Sequence, residues 1–280
     1  MKPPAFDYHR PETRAEVDDL LAEHGDDAKV LAGGQSLVPI LNFRLASPGH
    51  VVDINRLSAE TDEPVRANGV VSFGCLVRQS SAERSGVVAE CLPLLAEAIR
   101  FVAHPAIRSR GTIAGSVAHA DPAAELPAVL VVLEAEVCAR GTGGRRTIAA
   151  RDFFTGPLEN ALAPGEWIEE IRIPLQRGDG AFEEFARRRG DYALCGVAAL
   201  VDGDGGSRRA RLAYLGMGDV PRALELPLPG DDGVEEALRA LVEAELEPSD
   251  DIHAGASYRR FLAVKLGARA VRRAAAAGPR

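Results

Sequence analysis

The sequence predicts an α+β protein in two parts, divided near residue 175 into segments 1–174 and 175–280. Three observations support this. The first half alternates amphipathic helical runs with short apolar runs bounded by glycine or polar residues. After Pro174 the polar connection QRGDG leads into a meander of strand-like segments that ends in two amphipathic helices. Hydrophobic residues make up 46% of the chain but aromatic ones only 5%, so the cores are expected to be aliphatic.

TRAEVDDLLAEHG places Thr13 and Glu16 at capping-box spacing, carries Val17, Leu20 and Leu21 on one face and stops at Gly25, which predicts a helix. KVLAGG reads as a buried strand running into a glycine turn, and HVVDI at 50–54 as a second strand. A third strand is expected around 70–76 in NGVVSFGCL. CLPLLAEAIRFVA at 91–103 has the helical rhythm up to Pro105. DPAAELPAVLVVLEAEVCAR predicts a helix from about 122 that runs into a strand at about 134–140, and EWIEEIRIP closes the first part as an alternating strand. In the second part FEEFARRR, GVAALVD and RARLAYLGM predict a three-stranded sheet, with turns at Gly190 and at GDGG, residues 203–206. GVEEALRALVEAEL and SYRRFLAVKLGARAVRRAAAAG complete it as helices.

Charge and cysteine usage exclude several function classes. With 41 acidic and 33 basic residues the net charge is −8, so no broad surface attracts nucleic acid, and a bound phosphate must be held by local donors. No run reaches the ~20 apolar residues of a membrane span, and MKPPAFDYHRPE lacks a secretory h-region, which leads to the expectation of a cytoplasmic protein. Cys75, Cys91, Cys138 and Cys195 form no C-x-x-C pair and have no histidine at ligand spacing, so no metal site is expected. Ser36 and Ser116 lack a G-x-S-x-G elbow, and neither a phosphate-loop lysine motif nor G-x-G-x-x-G is present. Hydrolase, ATPase and Rossmann readings are therefore disfavoured.

Two glycine-rich stretches remain. Gly33 and Gly34 in KVLAGGQSLVPIL could present bare amides to a diphosphate, or could simply form a tight turn. Gly111 and Gly115 in HPAIRSRGTIAGSVAHADPAAELP bracket Thr112, Ile113 and Ala114, with Ser116 next. Asp121 follows, either as the N-cap of a helix begun by Pro122 or as an acceptor for a ligand. Asn42 and Arg44 are candidates for fastening the first stretch, and Arg108 and Arg110 for steadying phosphate charge at the second. His104 and His119 stand at no convincing base or ligand spacing.

AGGQSLVPILNFRL, RGTIAGSVAHADPAAELPA and RRRGDYALCGVAA resemble, in order and spacing, the signature regions of the FAD-binding medium subunit of molybdenum hydroxylases, the carbon monoxide dehydrogenase and xanthine dehydrogenase family. The similarity takes in FDYHRP, EWIEEIRIP and DDIHAGASYRR, and so spans essentially the whole chain. It implies a vanillyl-alcohol-oxidase (PCMH)-type FAD-binding domain of two α/β subdomains plus a smaller C-terminal α+β domain. By resemblance Ala32, Gly33, Gly34, Gln35 and Ser36 form one pyrophosphate loop, and Thr112, Ile113, Ala114, Gly115 and Ser116 the other. Asp121 would accept from a polar part of the cofactor, and Tyr192 would lie near the isoalloxazine. No residue is required as an acid or base.

The family usually shows Thr-Ile-Gly-Gly where this chain has Thr-Ile-Ala-Gly, so Ala114 would be strained if its φ were positive. The implied role is electron transfer from a [2Fe-2S] subunit to an external acceptor, beside a molybdenum-cofactor large subunit in a heterohexameric complex. The partner surface suggested is Tyr258 with Arg259 and Arg260. A self-sufficient flavoprotein oxidoreductase and a non-catalytic nucleotide-binding module are the alternatives.

Overall fold

A computed structural model describes residues 2–57, 63–203, 208–228 and 233–277. Thr13 caps the first helix, Arg14–His24, by accepting from the amide of Glu16 at 3.3 Å, while the Glu16 carboxylate accepts from the amide of Glu12 at 2.7 Å. Gly25 ends the helix at a φ of 52°. This helix lies on a small parallel sheet in the order Asp7–His9, His50–Asp53, Ala28–Leu31. Its apolar stripe, Val17 and Leu21, packs with Val52, Ile54 and Trp167 into a core of its own.

The second subdomain is built on an antiparallel sheet in the order Val65–Ala67, Val70–Gly74, Trp167–Pro174, Glu136–Gly141, Gly144–Ala149. The strand predicted in EWIEEIRIP occupies its centre. Two helical expectations need correction. Of the run 91–103, Cys91 ends the helix Gly86–Cys91 and only Pro93–Ala98 forms a new helix, well short of Pro105, because Pro93 cannot donate into the preceding turn and starts the helix at its first position. The helix expected from about 122 begins at Glu125. Asp121 Oδ1 accepts from the amide of Ala123 at 2.9 Å, which holds residues 121–124 in a side-chain-closed turn.

The third sheet has four antiparallel strands, not three: Asp179–Phe185, Cys195–Asp202, Arg209–Leu215 and Leu224–Pro227. The fourth is short and flanked by prolines, and it fits because it is an edge strand. Of the turn expected at 203–206, Gly203 adopts a φ of 90°, and residues 204–206 lie outside the described residues. Strand Cys195–Asp202 explains its near-continuous apolar run by being buried on both faces. Ala198 and Leu200 join the core of the second subdomain, whereas Val197, Ala199 and Val201 face helices Val234–Glu245 and Ala256–Ala276. This packing carries the loop before the strand, with Gly190 and Tyr192, onto the first part of the chain.

Candidate functional site

The parallel sheet and the second subdomain face each other across a cavity of about 760 Å³, within the range of cofactor sites. Residues 32–36 follow strand Ala28–Leu31 and form one wall. Thr112, Ala114, Gly115 and Ser116 contribute to the other, and Asp121 and Tyr192 also line the space. The structure therefore brings together all the expected residues except Ile113. That side chain is fully buried in the core, and its amide donates to the carbonyl of Val77 at 3.0 Å.

Each glycine of the pair meets its own structural requirement. A Cβ on Gly33 would strike the carbonyl oxygen of Arg110 and stand 2.7 Å from the Cα of Gly111. What excludes a side chain here is the second glycine stretch itself. Gly34 is needed for its backbone, with φ at 72°. Among the described residues, the amides of Gly33, Gly34, Gln35 and Ser36 have no hydrogen-bond partner and are available to an anion.

The second stretch is the start of a short helix, Ile113–His119, and not an open loop. Thr112 caps it, its hydroxyl accepting from the amide of Gly115 at 2.9 Å, and a Cβ on Gly115 would crowd that oxygen at 2.7 Å. The amides of Gly111, Gly115 and Ser116 are thus used within the fold, leaving those of Thr112 and Ala114. Ala114 has helical backbone and is only 4% exposed, so the strain considered for it does not arise.

Asn55 and Arg78 hold the two stretches together. Asn55 Nδ2 donates to the carbonyl of Ala32 at 2.8 Å, and its Oδ1 accepts from Arg78 at 2.5 Å. Arg78 also donates to the carbonyl of Arg110 at 2.5 Å. Behind them Asp53 accepts from the amide and side chain of Asn55 at 2.9 and 2.6 Å and from the Tyr8 hydroxyl. Burial works against the charged form of Asp53, but these bonds prevail and hold its carboxyl below the usual range. Asn55 and Arg78 stand outside both glycine motifs, and only the fold makes them adjacent; no local pattern marks them.

Arg108, Arg44 and Arg259 are engaged within the fold, and Arg110 through its backbone. Arg108 is buried, pairs through two bonds of 2.9 and 3.0 Å with Glu83 and donates to the carbonyl of Val102. Arg110 contributes its carbonyl to Arg78. Arg44 donates to the carbonyl of Lys2. Arg259 is likewise buried, bonded to the carbonyls of Leu194 and Gly216 and to Asp251, which removes it from the suggested partner surface.

At the far end of the cavity, Asp121 is not the N-cap of the helix it precedes, that position being Ala124. Its neighbour Glu125 lines the cavity, and burial followed by the charge of Asp121 pushes its carboxyl up to about 7. Burial and Glu125 push Glu184 up to about 8, and its Oε2 is buried without a hydrogen-bond partner among the described residues. The phenol of Tyr192 is raised by desolvation and then by Asp121 and Glu125. His119 also lines the cavity, and His104 packs under Gly190, where a Cβ would meet its Nδ1 and Nε2 at 2.7 Å.

The donor set fits a dinucleotide: uncharged amides for a diphosphate on one wall, an acidic turn and an aromatic at the other end. The FAD binding domain in molybdopterin dehydrogenase matches residues 4–176, and the CO dehydrogenase flavoprotein C-terminal domain matches residues 180–274. The chain is 41% identical to the 6-hydroxypseudooxynicotine dehydrogenase complex subunit alpha of Paenarthrobacter nicotinovorans, over 92% of this chain and 90% of that one. It is 40% identical to the caffeine dehydrogenase subunit beta of Pseudomonas sp. (strain CBB1), over 98% and 96%. A solved structure of carbon monoxide dehydrogenase from Hydrogenophaga pseudoflava superposes with a TM-score of 0.91 at 34% identity, covering 99% of each chain. The protein is thus an FAD-binding oxidoreductase, and the chain belongs to the FAD-binding medium-chain family of the molybdopterin dehydrogenases.

Proposed function

We propose that this chain is the flavin subunit of a molybdenum-containing hydroxylase complex, taking electrons from a [2Fe-2S] subunit and passing them to a quinone, oxygen or NAD. The large subunit would carry the molybdenum cofactor, and the assembly would be heterohexameric. The dehydrogenase-complex subunits to which it is similar support this reading. A division into an FAD-binding part, 1–174, and a C-terminal part, 175–280, belongs to the same proposal. So does a cytoplasmic location, in keeping with four cysteines that are all buried and unpaired. Among the described residues, no helix is long and apolar enough to cross a membrane.

The observation that carries the proposal is the run of unpartnered amides from Gly33 to Ser36 facing the 760 Å³ cavity. These amides would donate to the diphosphate, and the amides of Thr112 and Ala114 would approach it from the opposite wall. The hydroxyls of Ser36 and Ser116 and the side chain of Gln35 stand along the same space. Gln35 is oriented by donating to the carbonyl of Gly33 at 3.1 Å. Asp121 would accept from a polar group of the cofactor. Tyr192, 71% exposed at the mouth, would cover one face of the isoalloxazine and limit access to it. Bound FAD supplies exchange of one or two electrons, which joins a one-electron carrier to a two-electron acceptor.

The test is the absorption spectrum of the purified chain, followed by isolation from its source under mild conditions. Flavin bands, and copurification with subunits containing molybdenum and iron, are expected. A colourless folded chain that leaves added FAD free in solution overturns the site. A yellow chain that never accompanies such subunits overturns the complex.

A further inference from the structure

We propose that His9, His24 and His50 form a three-imidazole site for one divalent first-row transition ion, with zinc as the reference ion. Three of the chain's six histidines meet here from three separate elements. His9 ends strand Asp7–His9, His24 is the last residue of helix Arg14–His24, and His50 opens strand His50–Asp53. Each offers a ring nitrogen, and these atoms lie within 4.8 Å of one another. His9 Nε2 and His50 Nδ1 are 3.0 Å apart, and the rings of His24 and His50 stack at 3.6 Å.

Zinc–imidazole bonds of ~2.0–2.1 Å in a tetrahedron require neighbouring nitrogens roughly 3.3–3.5 Å apart. In a tetrahedron the ring lone pairs must converge, so the His24 and His50 rings, 7° from parallel, would turn out of their stack to bind the ion. The three rings are partly buried; His9 and His50 hydrogen-bond to each other, and His24 stacks on both. Each neutral imidazole has one acceptor nitrogen to offer, and three imidazoles converging on one point are a ligand set suited to a borderline divalent ion.

The frame is also rigid. His50 stands in register between Asp7 and Ala28 in the parallel sheet. The preceding Gly49 donates its amide to Asp27 Oδ1 at 2.7 Å and accepts from the amide of Asp7 at 2.7 Å. The positions of the ligands are therefore set by the sheet and its connections, as a built site requires. Three histidines leave the fourth tetrahedral position to water or to an outside donor. The site is formed by two strands of the parallel sheet and the end of the helix Arg14–His24, and it stands independently of the flavin reading.

The full chain, freed of metal with a chelator, is titrated with zinc chloride by calorimetry, and its cobalt(II) complex is examined by visible and X-ray absorption. One saturable zinc site per chain is expected, with a tetrahedral cobalt spectrum and three imidazole nitrogens at about 2.0 Å in the zinc form. His24→Gln and His50→Gln should each weaken binding at least tenfold, while His253→Gln, at an exposed position, should leave it unchanged. Absence of a saturable site overturns the proposal. So does a wild-type spectrum with fewer than three imidazoles, a result that does not depend on whether the variants fold.

Discussion

The guanidinium of Arg78 donates to the side-chain oxygen of Asn55 at 2.5 Å, and this bond closes the bridge between the two glycine stretches. Asn55 holds the carbonyl of Ala32, and Arg78 holds the carbonyl of Arg110. The pair fixes the width of the cavity between its two walls without belonging to either motif.

Removing the bridge should cost cofactor affinity. For Arg78→Ala a loss of one or two charge-assisted hydrogen bonds corresponds to FAD binding weaker by ~10- to 100-fold. Flavin fluorescence titration reads this directly. Arg66→Ala serves as the control, since that arginine pairs with Glu90 on the surface and its loss should change neither affinity nor stability measurably.

The two paired glycines should fail for different reasons when substituted. Gly33→Ala drives a methyl into the carbonyl of Arg110, so the walls must separate, and a loss of about 1–3 kcal/mol of stability together with FAD affinity is expected. Gly34→Ala meets only the ends of Leu31 and Val38 at 3.1 and 3.2 Å but must keep a φ of 72°, at about 1 kcal/mol. Denaturant melts and FAD titrations of both variants separate a clash from backbone strain.

Ala114→Gly restores the residue usual in the family, yet no gain in cofactor affinity is expected. Its backbone is helical, so glycine relieves no strain and should lower stability by about 0.5–1 kcal/mol. A tighter FAD complex in the variant would show instead that the methyl crowds the diphosphate.

Glu184 should make the fold weaker in mild alkali. Its carboxyl titrates near 8 in the folded chain against an ordinary value of 4.5. A raised carboxyl contributes stability that is fully present below pH 4.5 and is lost as pH rises through about 8. Glu184→Gln, which keeps the shape of the neutral form, should therefore flatten the decline. The variant is expected to match the parent near pH 4.5 and to exceed it by about 3–5 kcal/mol at pH 8, as measured by urea melts across that range.

Much of the architecture was legible from local pattern because the deciding forces are local. The helix Arg14–His24 is announced by Thr13, an apolar stripe and Gly25, all within one stretch of chain. The central strand Trp167–Pro174 shows its buried face in its alternation. The apolar periodicity continues across Pro93 and Glu125, so it does not mark those boundaries. One break was a missing amide, the other a turn closed by Asp121. The edge strand Leu224–Pro227 was hidden by its short length and its prolines.

The sequence by itself marked Gly33 and Gly34 as a place for bare amides or a tight turn, since the absence of a Cβ is a property of the local chain. It also carried the family resemblance. Only the tertiary structure decided why Gly33 must be glycine, because its obstacle, the backbone of Arg110 and Gly111, is distant in the chain. The bridge of Asn55 and Arg78 and the meeting of His9, His24 and His50 were decided in the same way. Hydrogen bonds and ligand sets act over about 3 Å, and residues far apart in sequence reach that distance only when sheet register and packing place them there.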